Sequence, residues 1–192
     1  MVLCRIQRFL SLKRGHEGNS GRTEIIGRGG IRKTDQLVEV LGEADELNSF
    51  IGLASSLIND VEVKNILHKV QSDIFVLCTD VQLPLSSERR KELKLIGEDN
   101  VRFIEDELKL YEQQLEPLKS FIYPSGCLEA SILHVCRTVC RRVERALARL
   151  ALEQPINKYV YQYVNRLSDL FFVLARYLNK KAGVKDEAWR LH

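Results

Sequence analysis

Leu133-His134-Val135-Cys136-Arg137-Thr138-Val139-Cys140-Arg141-Arg142-Val143-Glu144-Arg145 decides how this chain is read. Ile132, Cys136, Val139, Val143, Ala146 and Leu150 recur by four and three, so a single helix presents them as one apolar seam. Arg137, Arg141 and Glu144 recur by the same steps on another face, with Arg142 and Arg145 beside them. Solubility alone does not require guanidinium groups at this density. Arginine makes forked contacts with phosphate oxygens, so the stripe points to a compact polyanion. The competing reading is a solvated basic face, salted by Glu144.

Four further segments repeat the same step. Leu37, Leu41, Ala44, Asn48, Ile51, Ser55 and Ile58 mark the first, and Val63, Leu67, Val70, Ile74, Leu77 and Val81 the second. Val101, Ile104, Leu108, Tyr111 and Leu115 mark the third; Val160, Val164, Leu167, Phe171, Leu174 and Leu178 follow the Arg-bearing helix. No comparable stretch alternates with period two. The expected fold class is all-α, a five-helix antiparallel bundle. Pro84 and Pro117 close the second and third segments, and Pro155 suits the first turn of the fifth. Lys180 and Lys181 favour the end of the fifth helix, and Gly183 suits its left-handed cap. Ser86 to Asn100 reads as a charged connection with some helix. Asn48 and Ser55 put polar groups in a seam, a pattern that a second subunit would complete.

With 192 residues, 45% hydrophobic and 29% charged, the chain has the size and composition of one domain with a sizeable core. A net charge of +3 argues against bulk nucleic-acid binding. No apolar run approaches the ~20 residues of a membrane span. Cys4, Cys78, Cys127, Cys136 and Cys140 are odd in number and form no Cys-x-x-Cys pair, so they read as small hydrophobes in a reducing compartment. His16, His68, His134 and His192 lack ligand spacing, and His134 is expected on a helix surface or an interface. Residues 1–20 read as a basic tail and 21–192 as a single domain. Arg5, Arg8, Lys13 and Arg14 among apolar residues resemble a mitochondrial transit segment. The expected location is the cytoplasm, with mitochondria the alternative if residues 1–16 act as such a segment.

A second polar stripe lies on the fifth helix, where Asn165, Ser168, Asp169, Phe172 and Arg176 share one side. Asn165 and Ser168 suit a base or ribose, and Asp169 suits an arginine. Phe172 is costly to leave in water, so this side is expected to meet something. Residues 21–34 read as a glycine-rich loop. It is neither a Walker loop nor a dinucleotide fingerprint. Gly27-Arg28-Gly29-Gly30 could still bring backbone amides to an anion, with Arg22, Arg28, Arg32 and Lys33 as counter-charges.

Three blocks now resemble one family, the cobalamin adenosyltransferases of the propanediol-utilisation type. They are Lys33 to Ala54, with Glu43-Ala44-Asp45-Glu46-Leu47-Asn48; Phe121-Ile122-Tyr123-Pro124-Ser125-Gly126 through Arg145; and Asn165 to Tyr177 with Trp189-Arg190. The resemblance implies five-helix bundles that assemble as homotrimers, with sites between neighbouring subunits. It implies ATP and reduced cobalamin as substrates, Mg as an accompanying ion, and triphosphate as the leaving group. A cobalamin-dependent mutase or a reductase is the implied protein partner, with neither nucleic acid nor membrane.

Residue by residue, the resemblance places Arg141 on the ATP phosphates, with Arg142, Glu144 and Arg145 in the same motif and Asn165 on the nucleotide. Arg22, Thr23 and Lys33 complete the ATP set. Asp35 and Arg137 match an intersubunit salt bridge. Phe121 matches an apolar wedge that removes the lower ligand of cobalt, and Phe172 lines the same pocket. Arg141 and Phe121 are thus the residues implied for catalysis. The family's Thr-Arg-Thr-Gly-Asp-x-Gly-Thr loop has no full counterpart in Gly21-Arg22-Thr23-Glu24-Ile25-Ile26-Gly27, and Thr34 and Ser125 also depart from the pattern. The alternative reading is a non-catalytic relative that binds cobalamin or a nucleotide, as a chaperone or sensor. A ligand-free scaffold would leave Phe121 and the Arg stripe unexplained.

Overall fold

The computed structural model describes residues 19–26 and 28–190, with Arg28 and Gly29 by backbone alone. The readings placed on residues 1–18, on Gly27, on the Arg28 side chain and on His192 lie outside the described residues. Five α-helices follow a short hairpin: α1 (Gln36–Leu57), α2 (Val61–Gln82), α3 (Glu98–Glu112), α4 (Leu128–Glu153) and α5 (Lys158–Lys181). Three begin where the sequence offers a short side-chain acceptor for open backbone amides. Asp35 accepts from Leu37 N at 2.9 Å, Asp60 from Val63 N at 3.0 Å, and Asn157 from Tyr159 N at 3.1 Å. Pro155 therefore lies ahead of α5 rather than in its first turn, because Asn157 takes the cap. Gly183 adopts φ 71°, as its place after α5 requires. The charged connection carries a 3₁₀ turn at Glu88–Glu92.

Every apolar seam faces inward. Leu37, Ile51, Leu67, Ile104, Cys136, Ala146 and Phe171 are all fully buried, and Ile132, at the start of the α4 seam, is half-buried. Truncating a ring such as Phe171 to alanine costs about 3–5 kcal/mol. The polar seam residues are buried too. Ser55 Oγ meets His68 Nε2 at 3.1 Å, whereas Asn48 Oδ1 has no partner.

α1 packs on α2 and α4, and α5 on α4, α3 and α2. Contacts fix the directions. Gln36 meets Arg149 while Glu43 meets Arg142, so α1 and α4 run antiparallel. Asp73 meets Tyr163 while Asp60 meets Lys181, so α2 and α5 do also. One neighbouring pair departs from the antiparallel expectation. Glu105 meets Arg166 and Tyr111 meets Tyr177, so α3 and α5 run parallel. The cause is the segment 113–127, which carries the chain across the bundle end and leaves α3 packed on α5, not on α4.

The segment expected as a loop, 21–34, is largely a β-hairpin. β1 (Arg22–Ile25) pairs antiparallel with β2 (Arg28–Arg32), Thr23 lying opposite Ile31. Strands this short give too few residues for a period-two pattern to register. Ile25 packs on the core, Ile26 N donates to Gln82 Oε1 at 2.8 Å, and Lys33 N donates to Gly21 O at 2.8 Å.

Candidate active site

Adjacent arginines on α4 point to different neighbours because each residue turns the helix by about 100°. Arg142 faces α1 and pairs with both Glu43 and Glu46. Its hydrogen bonds to Glu43 and then Glu46 hold its proton more tightly than usual. Arg142 was expected among the ATP ligands; the structure instead commits it to these two carboxylates of its own subunit.

Arg137 and Arg141 face the other way. Because α3 does not close on α4, a groove of about 450 Å³ opens between them, floored by α5. Arg137 and Arg141 line one wall, Leu108 and Glu112 the other, and Ser168, Asp169 and Phe172 belong to the floor. Arg137 is half-buried and its Nε has no partner. Burial, and then the charge of Arg141, make its protonated form less favourable than usual. Two like charges held together, one of them partly desolvated, form a place for an anion. Nearby, Asn165 donates to Glu144 Oε1 at 2.9 Å, and Arg145 donates to Arg141 O at 3.0 Å.

The second stripe is less solvated than its sequence pattern implies, because α5 is packed by three helices. Ser168 and Arg176 are buried and Phe172 is half-buried. Ser168 Oγ donates to Asn165 O at 3.0 Å, so it is turned to its own helix rather than offered to a ribose. Asp169 pairs at the surface with Arg166 at 3.4 Å. His134 is buried rather than on a surface, at 5.9 Å from Phe172 between ring centroids. Burial, reinforced by Arg137 and opposed by Asp186, pushes its imidazole down to about 4. Cys136 and Cys140 are buried seam residues; desolvation pushes the Cys136 thiol up to about 12.

Phe121 is 82% exposed, which no core ring would be. Its loop is anchored by residues that sequence reasoning missed. Asn179, 2% exposed, accepts from Cys127 N and donates to Ser125 O, both at 2.9 Å. Gly126 between them has φ 125°, and a Cβ there would stand 2.0 Å from Asn179 Oδ1. Gly126 beside Pro124 was the one available signal; nothing local marked Asn179.

The remaining expected ATP ligands lie on the α1 side. Thr23 and Lys33 line a separate depression of about 360 Å³ with Glu39, Glu43 and Glu46. Arg22 donates to Gly30 O within the hairpin. Asp35 caps α1 at the level of Arg149, where Gln36 meets that residue. Arg149 is twelve residues beyond Arg137, about 18 Å of helix. Asp35 and Arg137 therefore do not meet within one subunit. The structure gathers Arg137, Arg141 and Phe172 at one groove and leaves Thr23, Lys33 and Asp35 on another face.

Comparison with known proteins fits this geometry. Residues 15–178 match the cobalamin adenosyltransferase family. A cobalamin adenosyltransferase of Cupriavidus metallidurans is 38% identical over 176 residues, 90% of this chain and 91% of that one. A corrinoid adenosyltransferase of Bacillus subtilis is 37% identical over 173 residues, covering 88% and 87%. Among solved structures, a phenylalanine-to-alanine variant of the PduO-type ATP:corrinoid adenosyltransferase from Lactobacillus reuteri, complexed with cobalamin and ATP, aligns with a TM-score of 0.85. It is 37% identical and covers 92% of this chain and 98% of its own. An arginine-to-lysine variant complexed with ATP aligns at 0.84, with 37% identity, 91% of this chain and 98% of its own. The chain belongs to the cobalamin adenosyltransferase family.

Proposed function

We propose that this chain transfers the 5′-deoxyadenosyl group of ATP to reduced cobalamin, in a homotrimer whose sites lie between adjacent subunits. Cobalt(I) supplies the electron pair for the new bond to the ribose 5′ carbon. The carbon–oxygen bond breaks, and its electrons leave on triphosphate. Charge thus builds on the departing phosphates, and preorganised cations stabilise it there. Arg141 is assigned that role. Asn165, oriented by Glu144, holds the nucleoside, and Arg145 flanks the same edge. Arg22, Thr23 and Lys33 reach the phosphates from the neighbouring subunit, and Asp35 of that neighbour pairs with Arg137. Arg142 is omitted from the set because Glu43 and Glu46 already hold it. Among the described residues no three His, Cys, Asp or Glu side chains converge on a metal site, and no step is assigned to Mg.

The observation that carries this reading is the half-buried, unpartnered Arg137 beside Arg141, in a subunit whose Asp35, Thr23 and Lys33 lie elsewhere. Phe121 is assigned as the apolar wedge beneath the corrin, with Phe172 on the pocket wall. The purified protein should convert chemically reduced cobalamin and ATP to adenosylcobalamin and triphosphate. Phe121→Ala should keep ATP affinity, lose the four-coordinate cob(II)alamin signal in electron paramagnetic resonance, and recover part of its rate with pre-reduced cob(I)alamin. A folded Phe121→Ala protein with the full four-coordinate signal would rule the wedge out. No product from the wild type would remove the catalytic reading itself.

A further inference from the structure

Phe121 poses a mechanical problem. A ring 82% exposed has almost no side-chain packing to fix its direction, so its backbone must be held instead. The chain after α5 does the holding. Trp189 N donates to Phe121 O at 2.8 Å, Tyr123 N donates to Glu187 O at 2.9 Å, and Ile122 pairs with Ala188 as an isolated β-bridge. This strap is itself poorly buried: from Val184 to Arg190 every residue but Asp186 is exposed. Asp186 is its anchor. Its Oδ2 accepts from Arg176 Nε at 2.7 Å, and its Oδ1 has no partner, so one guanidinium holds the carboxylate.

Arg176 does more than hold the strap. It is 8% exposed, and its Nη2 donates to Glu116 O at 2.7 Å, in the crossing segment that carries Phe121. Its Cζ lies 6.0 Å from the centre of the Phe172 ring, one turn earlier on α5, and that ring also meets His134. A guanidinium is planar and offers its donors in fixed directions, so one side chain sets the angle between crossing segment, strap and ring. A lysine has neither the fork nor the plane.

We propose that Arg176 and Asp186 form a clasp that positions both aromatic rings of the cobalamin pocket. Neither residue acts on the reacting atoms. Arg176 orients Phe172 directly, and Asp186 orients Phe121 through the strap. This inference rests on the assignment of Phe121 and Phe172 to cobalamin, and its test separates the two.

Trp189 is the only tryptophan of the chain, so its emission reports the strap directly. The full-length protein is compared with Asp186→Asn, Asp186→Glu, Phe121→Ala and the Phe121→Ala/Asp186→Asn double variant. Asp186 lies outside the helices, so its variants keep the test valid even where Arg176→Lys fails to fold. In Asp186→Asn, Trp189 should become more mobile and more accessible to iodide while helical circular dichroism stays unchanged. The KM for cobalamin should rise by about tenfold or more, up to the roughly hundredfold that a misplacement of about 1 Å can cost, while the KM for ATP stays within about twofold. Asp186→Glu should recover part of the loss, and the double variant should be no worse than Phe121→Ala. An unchanged Trp189 would overturn the clasp. A loosened Trp189 with an unchanged cobalamin KM, while Phe121→Ala raises it, would overturn the positioning role and leave the pocket assignment intact. A Phe121→Ala protein with normal cobalamin kinetics would overturn the pocket assignment, and the positioning role with it.

Discussion

The two sides of α4 carry the same chemistry to opposite ends. Arg142 faces α1 and finds Glu43 and Glu46 there. Arg137 and Arg141, on the side that opens to the groove, face each other's charge, and the Arg137 Nε is left without an acceptor. A subunit that only needed to fold would gain from pairing both sides. One side is neutralised within the chain, and the other is kept cationic at a groove that also holds Phe172. The difference teaches that arginine density is not itself the signal of a site; arginines that no carboxylate pairs with, even with Glu112 and Asp169 in the same groove, are.

Breaking the open side should matter most at Arg137. If its partner is Asp35 of a neighbouring subunit, Arg137→Ala leaves that carboxylate uncompensated, at a cost of about 3–5 kcal/mol where the pair is buried. Sedimentation should show a shift from oligomer to monomer, and reversing both charges should restore part of the assembly. A normally sedimenting, active Arg137→Ala protein would remove the pair from the account. Next is Arg141→Ala, which should keep the oligomer but lower turnover with ATP by about 2–4 kcal/mol of lost stabilisation of the departing phosphates. Steady-state kinetics at saturating cobalamin would measure it. Unchanged turnover would sink the phosphate assignment. The closed side should matter least. Arg142 and Glu46 are 39% and 45% exposed and Glu43 is 15% exposed, so Arg142→Ala should lower stability by about 1 kcal/mol and leave the KM for ATP near that of the wild type. A large rise in that KM would return Arg142 to the nucleotide set.

The helices were legible because burial imposes a period. Cys136, Val139, Val143 and Leu150 could be placed on a seam without any tertiary knowledge, and all are buried; Ile132, placed on the same seam, is half-buried, and its neighbour Leu133 takes the inner position. The hairpin was not legible, since Arg22–Ile25 and Arg28–Arg32 are shorter than the window needed to see alternation. The parallel run of α3 beside α5 also escaped, because it follows from how 113–127 crosses the bundle rather than from either helix. Within the site, Arg137, Arg141 and Phe172 declared themselves by type and spacing. Which arginine is paired did not: Arg141 and Arg142 are adjacent in sequence, and only the position of α1 separates them. His134 misled for a related reason. Its polarity suggested a surface or an interface, and within the subunit α5 already covers it with Phe172. Asn179 holds the backbone of Ser125 and Cys127, far from it in sequence, and Asp186 meets the side chain of Arg176 across a helix end; no local pattern encodes either.

The central claim is that one catalytic site needs the Arg141 face of one subunit and the Lys33 face of the next. The direct measurement is to unfold, mix and refold Arg141→Ala and Lys33→Ala proteins, each inactive alone, and to assay adenosylcobalamin formation. Random assembly into a closed ring gives about one site in four with both faces intact. The mixture should regain about a quarter of wild-type activity. A refolded, oligomeric mixture as inactive as its components would contradict the central claim.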